Sequence, residues 1–573
     1  MTTKPWEKMK NTILKLMPAA GLCAALALAS CAEDKGNYTY SEENVITIEN
    51  IPTLTAVLAN AEYVDLKPVI TSSIDGDVKA DDANYSFTYM RKNSEGKWVK
   101  LGDQKDLHVL AEMSAGTNNC YFAVTDNRTG VQTIQPFDVR ATTITSEGWL
   151  VLCDEGSDEK VRMDMLSQIS LDRITPAYNV LPPADDVPPM YHATKIGYVR
   201  TYGGFSNIFM FSKTDSYVVP TADANAYGEL GKLTLADGFK ANQFLTKTDE
   251  HIVNHVTVPY MAYGRPNAAI CVSSEGNAYA YNYNSTNMSS AFEYPINTST
   301  RGGNVEYKVS PYVGVTELRF DALGEYGCAL LYDTDHKRFI GWSSKGVATN
   351  DPAGLTQKCT PLTDPTDGKK FSFQTGMDLV CMINTAQSSG TVYCVMKDGN
   401  KRHVYAISVL TDEFKQLDAF NDIQAPDFDK ATCFAASSQY AVIYYAYKNK
   451  VYSYNLSTKA CNVMELPSQE EVTMLKFNRY DEPWGTGSYI RQSFLGKLDA
   501  ATKQIYLDRQ NDLIVGSYDS TVQGNDGGVL RFYNVGDGGQ NLTLKKDKAG
   551  DADRTWEYKG FARIVDVRYK EVK

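Results

Sequence analysis

The sequence predicts an all-β protein in which a small N-terminal β-sandwich precedes a β-propeller of seven blades. Aromatic and β-branched residues alternate with polar residues in short runs bounded by Gly, Asn or Asp, the pattern of half-buried strands. The 573 residues include 37 tyrosines, which favour strands. A weak apolar repeat then recurs about every 61 residues, as expected for successive blades. Helices are scarce, the best candidate being a turn or two near residues 163–169.

Composition narrows the class of protein. Hydrophobic residues make up 43% and charged residues 22% of the chain, values typical of folded proteins and not of disordered ones. The formal net charge is −12. Because no basic surplus exists to neutralise phosphates, the charge argues against a nucleic-acid partner.

The N-terminus has the features of a secretory signal. Four lysines precede an apolar run over residues 17–29, which is too short to span a bilayer. The run ends in Leu28-Ala29-Ser30-Cys31, which resembles a bacterial lipobox. The resemblance implies that residues 1–30 are removed and that Cys31 is lipidated. The alternative is an ordinary signal peptide with a chance cysteine near its end.

Residues 31–44 are expected to tether the lipid to the first folded domain. Glu33 and Asp34 follow Cys31 directly. Acidic residues at this place resemble the surface-export signal of lipoproteins in the Bacteroidota. The resemblance implies a protein anchored in the outer membrane by its lipid and facing the cell exterior, with the inner leaflet of that membrane as the alternative.

Residues 45–142 are predicted to form the sandwich. Apolar alternation occurs at residues 85–89 and 120–124, and the turn sequence Asn127-Arg128-Thr129-Gly130 follows the second run. About 100 residues of this kind suit a small sandwich. The segment resembles PKD and immunoglobulin-like domains, in which a late strand often ends in an aromatic residue, Val, Thr, Asp and then Gly.

Residues 143–573 are predicted to form the propeller. Each repeat consists of an apolar strand, a polar turn and a second strand. The seven repeats begin at Trp149, Phe209, Ala269, Ala329, Tyr393, Val442 and Leu513. Radial closure of such hairpins removes exposed sheet edges, and residues 561–567 are a candidate for the strand that closes the ring. Six or eight blades, or two further sandwiches, are the alternatives.

The cysteines indicate packing and not a disulfide framework. Of the eleven present, Cys23 lies in the signal and Cys31 is the lipidation candidate, which leaves nine. An odd number leaves at least one free thiol. Four of the nine fall within apolar runs and are predicted to be buried small hydrophobes: Cys153, Cys271, Cys328 and Cys394.

The sequence contains none of the catalytic, zinc-binding or nucleotide-binding motifs that we searched for. His251 and His255 have the spacing of a zinc helix, but they lack the accompanying Glu and lie in a Val-rich stretch. No nucleophile elbow, P-loop or dinucleotide fingerprint occurs. We therefore expect no catalytic residues, no metal site and no cofactor. A structural calcium ion is the one addition that acidic turns such as Asp333-Thr334-Asp335 would allow.

Aromatic residues in polar, turn-rich segments are the candidate ligand-binding residues. Flat aromatic faces in loops suit sugars, peptides or a protein partner. The alternative for each is packing between blades. The candidates are Tyr202, Tyr260, Tyr263, Trp342, Trp484 and Tyr489.

Two sequence segments link these features to a family. Together with the lipobox, residues 35–40 (KGNYTY) and 148–152 (GWLVL) resemble the PKD-like family lipoproteins of Bacteroidota. The resemblance implies a surface accessory lipoprotein that works with a SusC-like TonB-dependent barrel and a SusD-like lipoprotein. Such a protein would bind an oligopeptide or a glycan without catalysis. A propeller-based surface hydrolase and an adhesin or structural lipoprotein are the alternatives.

Overall fold

The structure is a computed structural model that describes residues 43–181, 189–200, 206–221, 231–232, 250–258, 268–282, 295–298, 304–317, 327–344, 358–480, 495 and 498–571. These residues form two compact units. The first contains residues 43–53, Asp65–Val109 and Asn119–Phe137. The second contains Leu54–Val64, Leu110–Asn118 and the described residues from Asp138 onwards.

Ten strands precede the propeller. They are β1 (Ile46–Glu49), β2 (Leu54–Leu58), β3 (Tyr63–Leu66), β4 (Val69–Ser72), β5 (Gly76–Asp77), β6 (Tyr85–Lys92), β7 (Trp98–Gly102), β8 (Leu107–Leu110), β9 (Gly116–Asp126) and β10 (Gln132–Thr142). Their sheets have the strand orders β1-β4-β5, β2-β10-β9-β6-β7 and β3-β8. The predicted strands at residues 85–89 and 120–124 are confirmed as parts of β6 and β9. The prediction of an N-terminal β-sandwich is confirmed.

Alternation along β6 builds the core of the first unit. Tyr85, Phe87 and Tyr89 are buried, while the residues between them are not. The Tyr89 ring stacks on Phe122 with centroids 4.2 Å apart and meets Phe137 edge-on at 6.2 Å. Aromatic pairs of this kind add about 1 kcal/mol each beyond the burial of their area.

The second unit continues as a series of sheets of three to five strands, which we number as blades. Blade 1 contains β11 (Gly148–Glu155), β12 (Lys160–Gln168) and β13 (Ile174–Ala177). Blade 2 contains β14 (Ala193–Arg200), β15 (Ser206–Ser212), β16 (Ser216–Thr221) and β17 (Gly231–Lys232). Blade 3 contains β18 (Ile252–Val258), β19 (Ala268–Ser273) and β20 (Ala278–Asn282).

Blades 4 to 6 follow the same plan. Blade 4 contains β21 (Cys328–Asp333), β22 (Arg338–Ser343) and β23 (Thr360–Pro361). Blade 5 contains β24 (Asp378–Asn384), β25 (Thr391–Asp398), β26 (Lys401–Ser408) and β27 (Gln416–Phe420). A short 3-10 helix (Phe428–Lys430) leads to blade 6, with β28 (Cys433–Ala436), β29 (Val442–Tyr447), β30 (Lys450–Asn455) and β31 (Cys461–Glu465).

Blade 7 carries an insertion, and the chain then closes the ring. Helix α1 (Ala500–Arg509) lies between β32 (Glu470–Phe477) and β33 (Leu513–Asp519). Its first turn is capped by Asp499, whose Oδ1 accepts from the N–H of Thr502 (2.9 Å). The remaining elements are β34 (Gly528–Gly536), β35 (Asn541–Leu544), β36 (Lys546–Ala549), β37 (Ala552–Thr555), β38 (Glu557–Phe561), β39 (Arg563–Lys570) and the 3-10 turns Gln523–Asn525 and Asp537–Gly539.

Pairing of the last strand with the first blade defines the propeller. β39 pairs antiparallel with β11, placing Tyr569 opposite Trp149 and Val567 opposite Val151, so blade 1 has the order β13-β12-β11-β39. Within the described residues, this gives seven blades. The predicted closing strand is confirmed, and all seven predicted repeats are the central hairpins of successive blades.

One secondary-structure prediction is wrong. Residues 163–169, predicted as a helical turn or two, lie mainly in β12, where every residue after Lys160 is buried. A strand that is covered on both faces does not alternate, so its apolar run cannot be distinguished from a buried helix by pattern alone. Within the described ranges, no helix is both long and apolar enough to cross a membrane.

Tight packing at the start of blade 1 explains the glycine there. Gly148 has a φ of +137°, and a Cβ at this position would lie 2.2 Å from the carbonyl oxygen of Leu166. Glycine is therefore required for the approach of β11 to β12. The next residue, Trp149, is fully buried, and its ring meets Tyr569 edge-on at 4.8 Å.

Candidate functional site in the central channel

The innermost strands of the blades surround the axis of the propeller. They are β39, β14, β18, β24, β28 and β32, and in blade 4 the place is taken by residues 311–317, which bridge to β21 through Gly314 and Leu330. We call these seven segments the inner ring. Side-chain hydrogen bonds link each segment of the inner ring, or the residues directly after it, to the next.

Charged and amide side chains make the first three links. Oδ2 of Asp566 accepts from the N–H of Ile196, joining β39 to β14 (3.0 Å). Nζ of Lys195 donates to Oδ1 of Asn254, joining β14 to β18 (2.5 Å). Nδ2 of Asn254 donates to the carbonyl of Pro311, which begins the blade 4 segment (2.6 Å).

Polar side chains continue the links around the ring. Oδ1 of Asn384 in β24 accepts from the N–H of Val315 in the blade 4 segment (3.1 Å). Oγ of Ser438, just after β28, accepts from the N–H of Ala386, just after β24 (2.9 Å), and also from Nη2 of Arg479, just after β32. Each link thus uses a side chain from the innermost part of a blade.

Lys476 and Asp566 complete the circuit. Nζ of Lys476 in β32 donates to Oδ1 of Asp566 in β39 (2.6 Å). The two side chains are 29% and 12% exposed, so the pair is partly accessible within the ring. Oδ1 of Asp566 also accepts from the N–H of Val567, so both oxygens of this carboxylate are used.

Bulges in the inner ring turn these side chains towards their neighbours. Five inner strands shift register by one residue near their start, opposite the second strand of the blade. A bulge re-aims side chains and increases the twist of a strand. Lys195, Asn254 and Asp566 each come directly after a bulge. The skipped residues are Thr194, Val253, Val380, Thr473 and Val565.

An ion pair crosses the ring. Nε of Arg479, which follows the inner strand of blade 7, donates to Oε2 of Glu317 in the blade 4 segment (2.9 Å). Blades 4 and 7 are not neighbours, so the pair lies across the axis. Nη1 of Arg479 also donates to the carbonyl of Gln510 (2.8 Å). Arg479 therefore braces the end of the ring at which inner strands pass into the second strands of their blades.

Lys476 and Arg479 each donate to a carboxylate, whereas Lys195 donates to a neutral amide. Its side chain is half-buried, and Nζ donates to the amide oxygen of Asn254. Burial, followed by the charge of Lys476, lowers the pKa of Lys195 to about 8. Among the described residues, no carboxylate forms an ion pair with Lys195.

The charged side chains that act most strongly on Lys195 are two cations, Lys476 and Arg568, and two carboxylates, Asp566 and Glu317. We call the following six residues the channel cluster: Lys195, Lys476, Arg479, Arg568, Glu317 and Asp566. Four are cations and two are carboxylates, whereas the whole chain has a net charge of −12. Among the described residues, the cluster therefore concentrates positive charge inside an acidic protein.

A second buried polar group lies where blades 1 and 7 meet and serves packing. Oε1 of Glu147 accepts from the hydroxyls of Tyr506 in α1 (2.7 Å) and Tyr569 in β39 (2.6 Å) and from Nε2 of Gln168 (3.0 Å). Nη2 of Arg140 donates to its other oxygen (3.1 Å). Burial and the charge of Glu147 raise the pKa of both tyrosines, which keeps them hydrogen-bond donors.

Of the six aromatic residues predicted to bind a ligand, the structure describes only Trp342. Five of them lie outside the described residues: Tyr202, Tyr260, Tyr263, Trp484 and Tyr489, as does the lipidation candidate Cys31. The segments that carry these five aromatics each connect an inner strand to the second strand of its blade, in blades 2, 3 and 7.

For Trp342, the alternative of packing between blades is the one that the structure shows. It lies in β22 and is fully buried, with Ile340 and Leu331, in the core between blades. The residue follows the polar turn of a hairpin by several positions, so it belongs to the strand and points into the packed face. It is therefore not available as a flat surface for a ligand.

The cysteines and the histidine considered as possible ligands pack in the interior of the protein. Cys153, Cys271, Cys328 and Cys394 are buried, as predicted, and none of the four is in a disulfide. His255 lies in strand β18 and stacks on Phe209 with centroids 4.5 Å apart; burial lowers its pKa to about 3. Within the described residues, no group of three or more His, Cys, Asp or Glu side chains is arranged to hold a metal ion.

Comparison with known proteins supports the N-terminal resemblance. The model of the PKD-like family matches residues 31–178, a range that begins at Cys31. No curated protein sequence matches the chain.

Among solved structures, a quinonprotein alcohol dehydrogenase-like protein from Bacteroides thetaiotaomicron is 10% identical, with 91% of this chain and 98% of that chain covered and a TM-score of 0.36. YCF48 from Cyanidioschyzon merolae is 10% identical, with coverages of 58% and 93% and a TM-score of 0.30. The strand pairing described above, and not these alignments, defines the fold.

Proposed function

We propose that this chain is a non-catalytic surface lipoprotein whose propeller binds a nutrient ligand. In this proposal, Cys31 anchors it in the outer membrane, facing the cell exterior. The ligand is an oligopeptide or a glycan, and the protein assembles with a SusC-like TonB-dependent barrel and a SusD-like lipoprotein.

The channel cluster carries the binding part of this proposal. It is a concentration of partly accessible charge on rigid inner strands, and rigid strands hold binding groups in place. Its carboxylates, Glu317 and Asp566, are each ion-paired with a cation of the same cluster. Paired in this way they hold the ring together, which favours binding over acid–base chemistry.

The position of the family match supports the anchoring part. A domain that begins at residue 31 fits a mature chain that starts at the lipidated cysteine. We expect Cys31→Ser to abolish incorporation of labelled fatty acid and to release the protein from the membrane fraction. Cys23→Ser is the matched control and should leave both unchanged. Fatty-acid labelling that persists in Cys31→Ser would rule out this anchor.

Co-purification tests the assembly part. The tagged lipoprotein is extracted from its native membrane in mild detergent and the bound proteins are identified by mass spectrometry. We expect to recover a TonB-dependent barrel and a SusD-like lipoprotein. Recovery of the chain alone, under conditions that preserve other complexes of this class, would count against the importer and leave the hydrolase and adhesin alternatives to be tested.

A further inference from the structure

We propose that the channel cluster is an oxyanion-binding site, in which Lys195 supplies the principal charge and the ligand presents a carboxylate, sulfate or phosphate group. This proposal deepens the proposed function, since it names the chemical group by which a ligand would be recognised. The observation behind it is an enclosed ammonium without an ion-paired carboxylate among the described residues.

The hydrogen bonding of Lys195 leaves room for a ligand. An ammonium has three donors, and Nζ of Lys195 uses one of them on Oδ1 of Asn254. Nδ2 of Asn254 is held by the carbonyl of Pro311, which fixes the amide so that its oxygen faces the lysine. Asn254 is buried, so the lysine is positioned by a rigid neighbour.

The charge of Lys195 itself favours an anion over a cation, because the charged side chains around it are balanced in number. Lys476 and Arg568 both lower the pKa of Lys195 through their positive charge, whereas Asp566 and Glu317 oppose them. Both oxygens of Asp566 and one of Glu317 are already hydrogen-bonded within the inner ring. An anion that contacts Lys195 would neutralise the charge of its ammonium, and charged hydrogen bonds of this kind are the strong ones.

Two more titratable groups lie near Lys195 from blade 3, and both are neutral at pH 7–9. Burial lowers the pKa of His255 to about 3, with a further contribution from the charge of Lys195. Burial raises the pKa of Cys271 well above its usual value. Neither group supplies a counter-charge, so among the described residues the charges that act on Lys195 are those of Lys476, Arg568, Asp566 and Glu317.

Calorimetric titration of the full mature protein with sodium acetate, sodium sulfate and sodium phosphate tests the site. The experiment is run at low ionic strength and pH 7, because screening weakens such contacts. We expect one saturable site for at least one of the three anions, and the tightest of them names the oxyanion class. Absence of saturable binding for all three at tens of millimolar would overturn the proposal.

Two variants locate the binding on Lys195. Lys195→Met removes the charge and keeps the length of the side chain, and Asn254→Asp places a carboxylate against the ammonium. Each should weaken anion binding at least tenfold. The matched control Lys450→Met, at a surface pair with Glu465 (3.0 Å), should leave binding within twofold of the unmodified protein. Binding that survives both channel variants within twofold would overturn the proposal.

The pH dependence provides a test that needs no variant. Since the pKa of Lys195 is about 8 in the free protein, the affinity for the anion should fall about tenfold per pH unit above that value. An affinity that stays constant from pH 7 to pH 9.5 would contradict the assignment to Lys195. These titrations are independent of co-purification, so anion binding and assembly with an importer can fail separately.

Discussion

The two units each gather charges around one point and balance them in opposite ways. In the first unit, Nη2 of Arg128 donates to both Asp75 (2.7 Å) and Asp126 (2.9 Å), so one cation serves two carboxylates. In the second unit, the channel cluster combines four cations with two carboxylates. The first group has a surplus of negative charge, and the second has a surplus of positive charge.

The two groups of charges differ in their exposure to water, and this exposure determines how a surplus of charge affects stability. Asp126 is buried, but Arg128 is 38% and Asp75 26% exposed, so water can screen the charges of these two side chains. The channel cluster is enclosed by the inner ring, where an unbalanced charge is less well solvated and opposes folding. A bound counter-ion would stabilise the folded propeller there by mass action. Anion binding and the stability of the fold are therefore coupled in the channel, and no such coupling is expected around Arg128 in the sandwich.

The largest effect is expected from breaking the ion pair across the ring. Arg479→Met removes the donor to Glu317, Ser438 and the carbonyl of Gln510 and leaves a carboxylate without its cation. We expect the free energy of unfolding to fall by about 3 kcal/mol, as for other ion pairs that lose one partner inside a protein. Chemical denaturation measures the change.

A surface pair on the same unit is the control for this variant. Arg563→Met removes a pair with Glu471 in which the two side chains are 37% and 50% exposed. Exposed pairs contribute less than about 1 kcal/mol, so this variant should remain close to the unmodified protein. Equal losses in the two variants would show that the pair across the ring has no special role.

The propeller is largely predictable from sequence because its hairpins repeat. The polar turns at Asp215, Glu275 and Asp335 are equally spaced, and each stands between two strands of one blade. The inner strands are harder to recognise, since β28 has only four residues and blade 4 uses a segment with a single bridge to its neighbour. The repeat therefore predicts the middle of each blade better than the ring.

The channel cluster could not be predicted because its members are far apart in the chain. The hydrogen bond between Ile196 and Asp566 joins residues that are 370 positions apart. A weaker signal was present: Lys476 and Asp566 each stand between two apolar residues of a strand, and Lys195 directly precedes Ile196. A lone charge in a buried strand needs a partner, and only closure of the ring shows which partner it has.

A smaller effect, of opposite sign, is expected at Lys195. Lys195→Met removes an enclosed charge and should raise the free energy of unfolding by about 1 kcal/mol at pH 7 in the absence of anions. The unmodified protein should gain stability as the pH rises above about 8, because the folded state loses the Lys195 proton before the unfolded state does.

Thermal unfolding between pH 7 and pH 10 measures this gain, which should be absent in Lys195→Met. Phosphate or another bound oxyanion should reduce it in the unmodified protein, because the anion stabilises the charged form. A variant less stable than the unmodified protein at pH 7 would mean that the ammonium contributes to the fold through its bond to Asn254, and the comparison drawn above would fail.

The smallest effect is expected where Arg128 contacts Asp75 and Asp126 in the sandwich, and it depends on pH in the acid range. Hydrogen bonds from Arg128, and then from Asn44, hold the pKa of Asp126 well below its usual range. The stabilisation is complete above the unfolded-state pKa of about 4 and is lost as the pH falls through the lowered pKa. Arg128→Met should therefore be slightly less stable at pH 6 and should lose less stability between pH 5 and pH 2.

Hydrogen exchange of β6 and β9, compared between variant and unmodified protein at the same pH, measures this local stability. Lys97→Met is the control, since its partner Glu95 is 67% exposed and the pair should contribute nothing measurable. An acid profile of Arg128→Met that matches the unmodified protein would place the stabilisation of Asp126 in its bond from Asn44 instead. Asp126 would then be stabilised by a neutral amide, as Lys195 is in the channel. The balance of charges would no longer distinguish the two units.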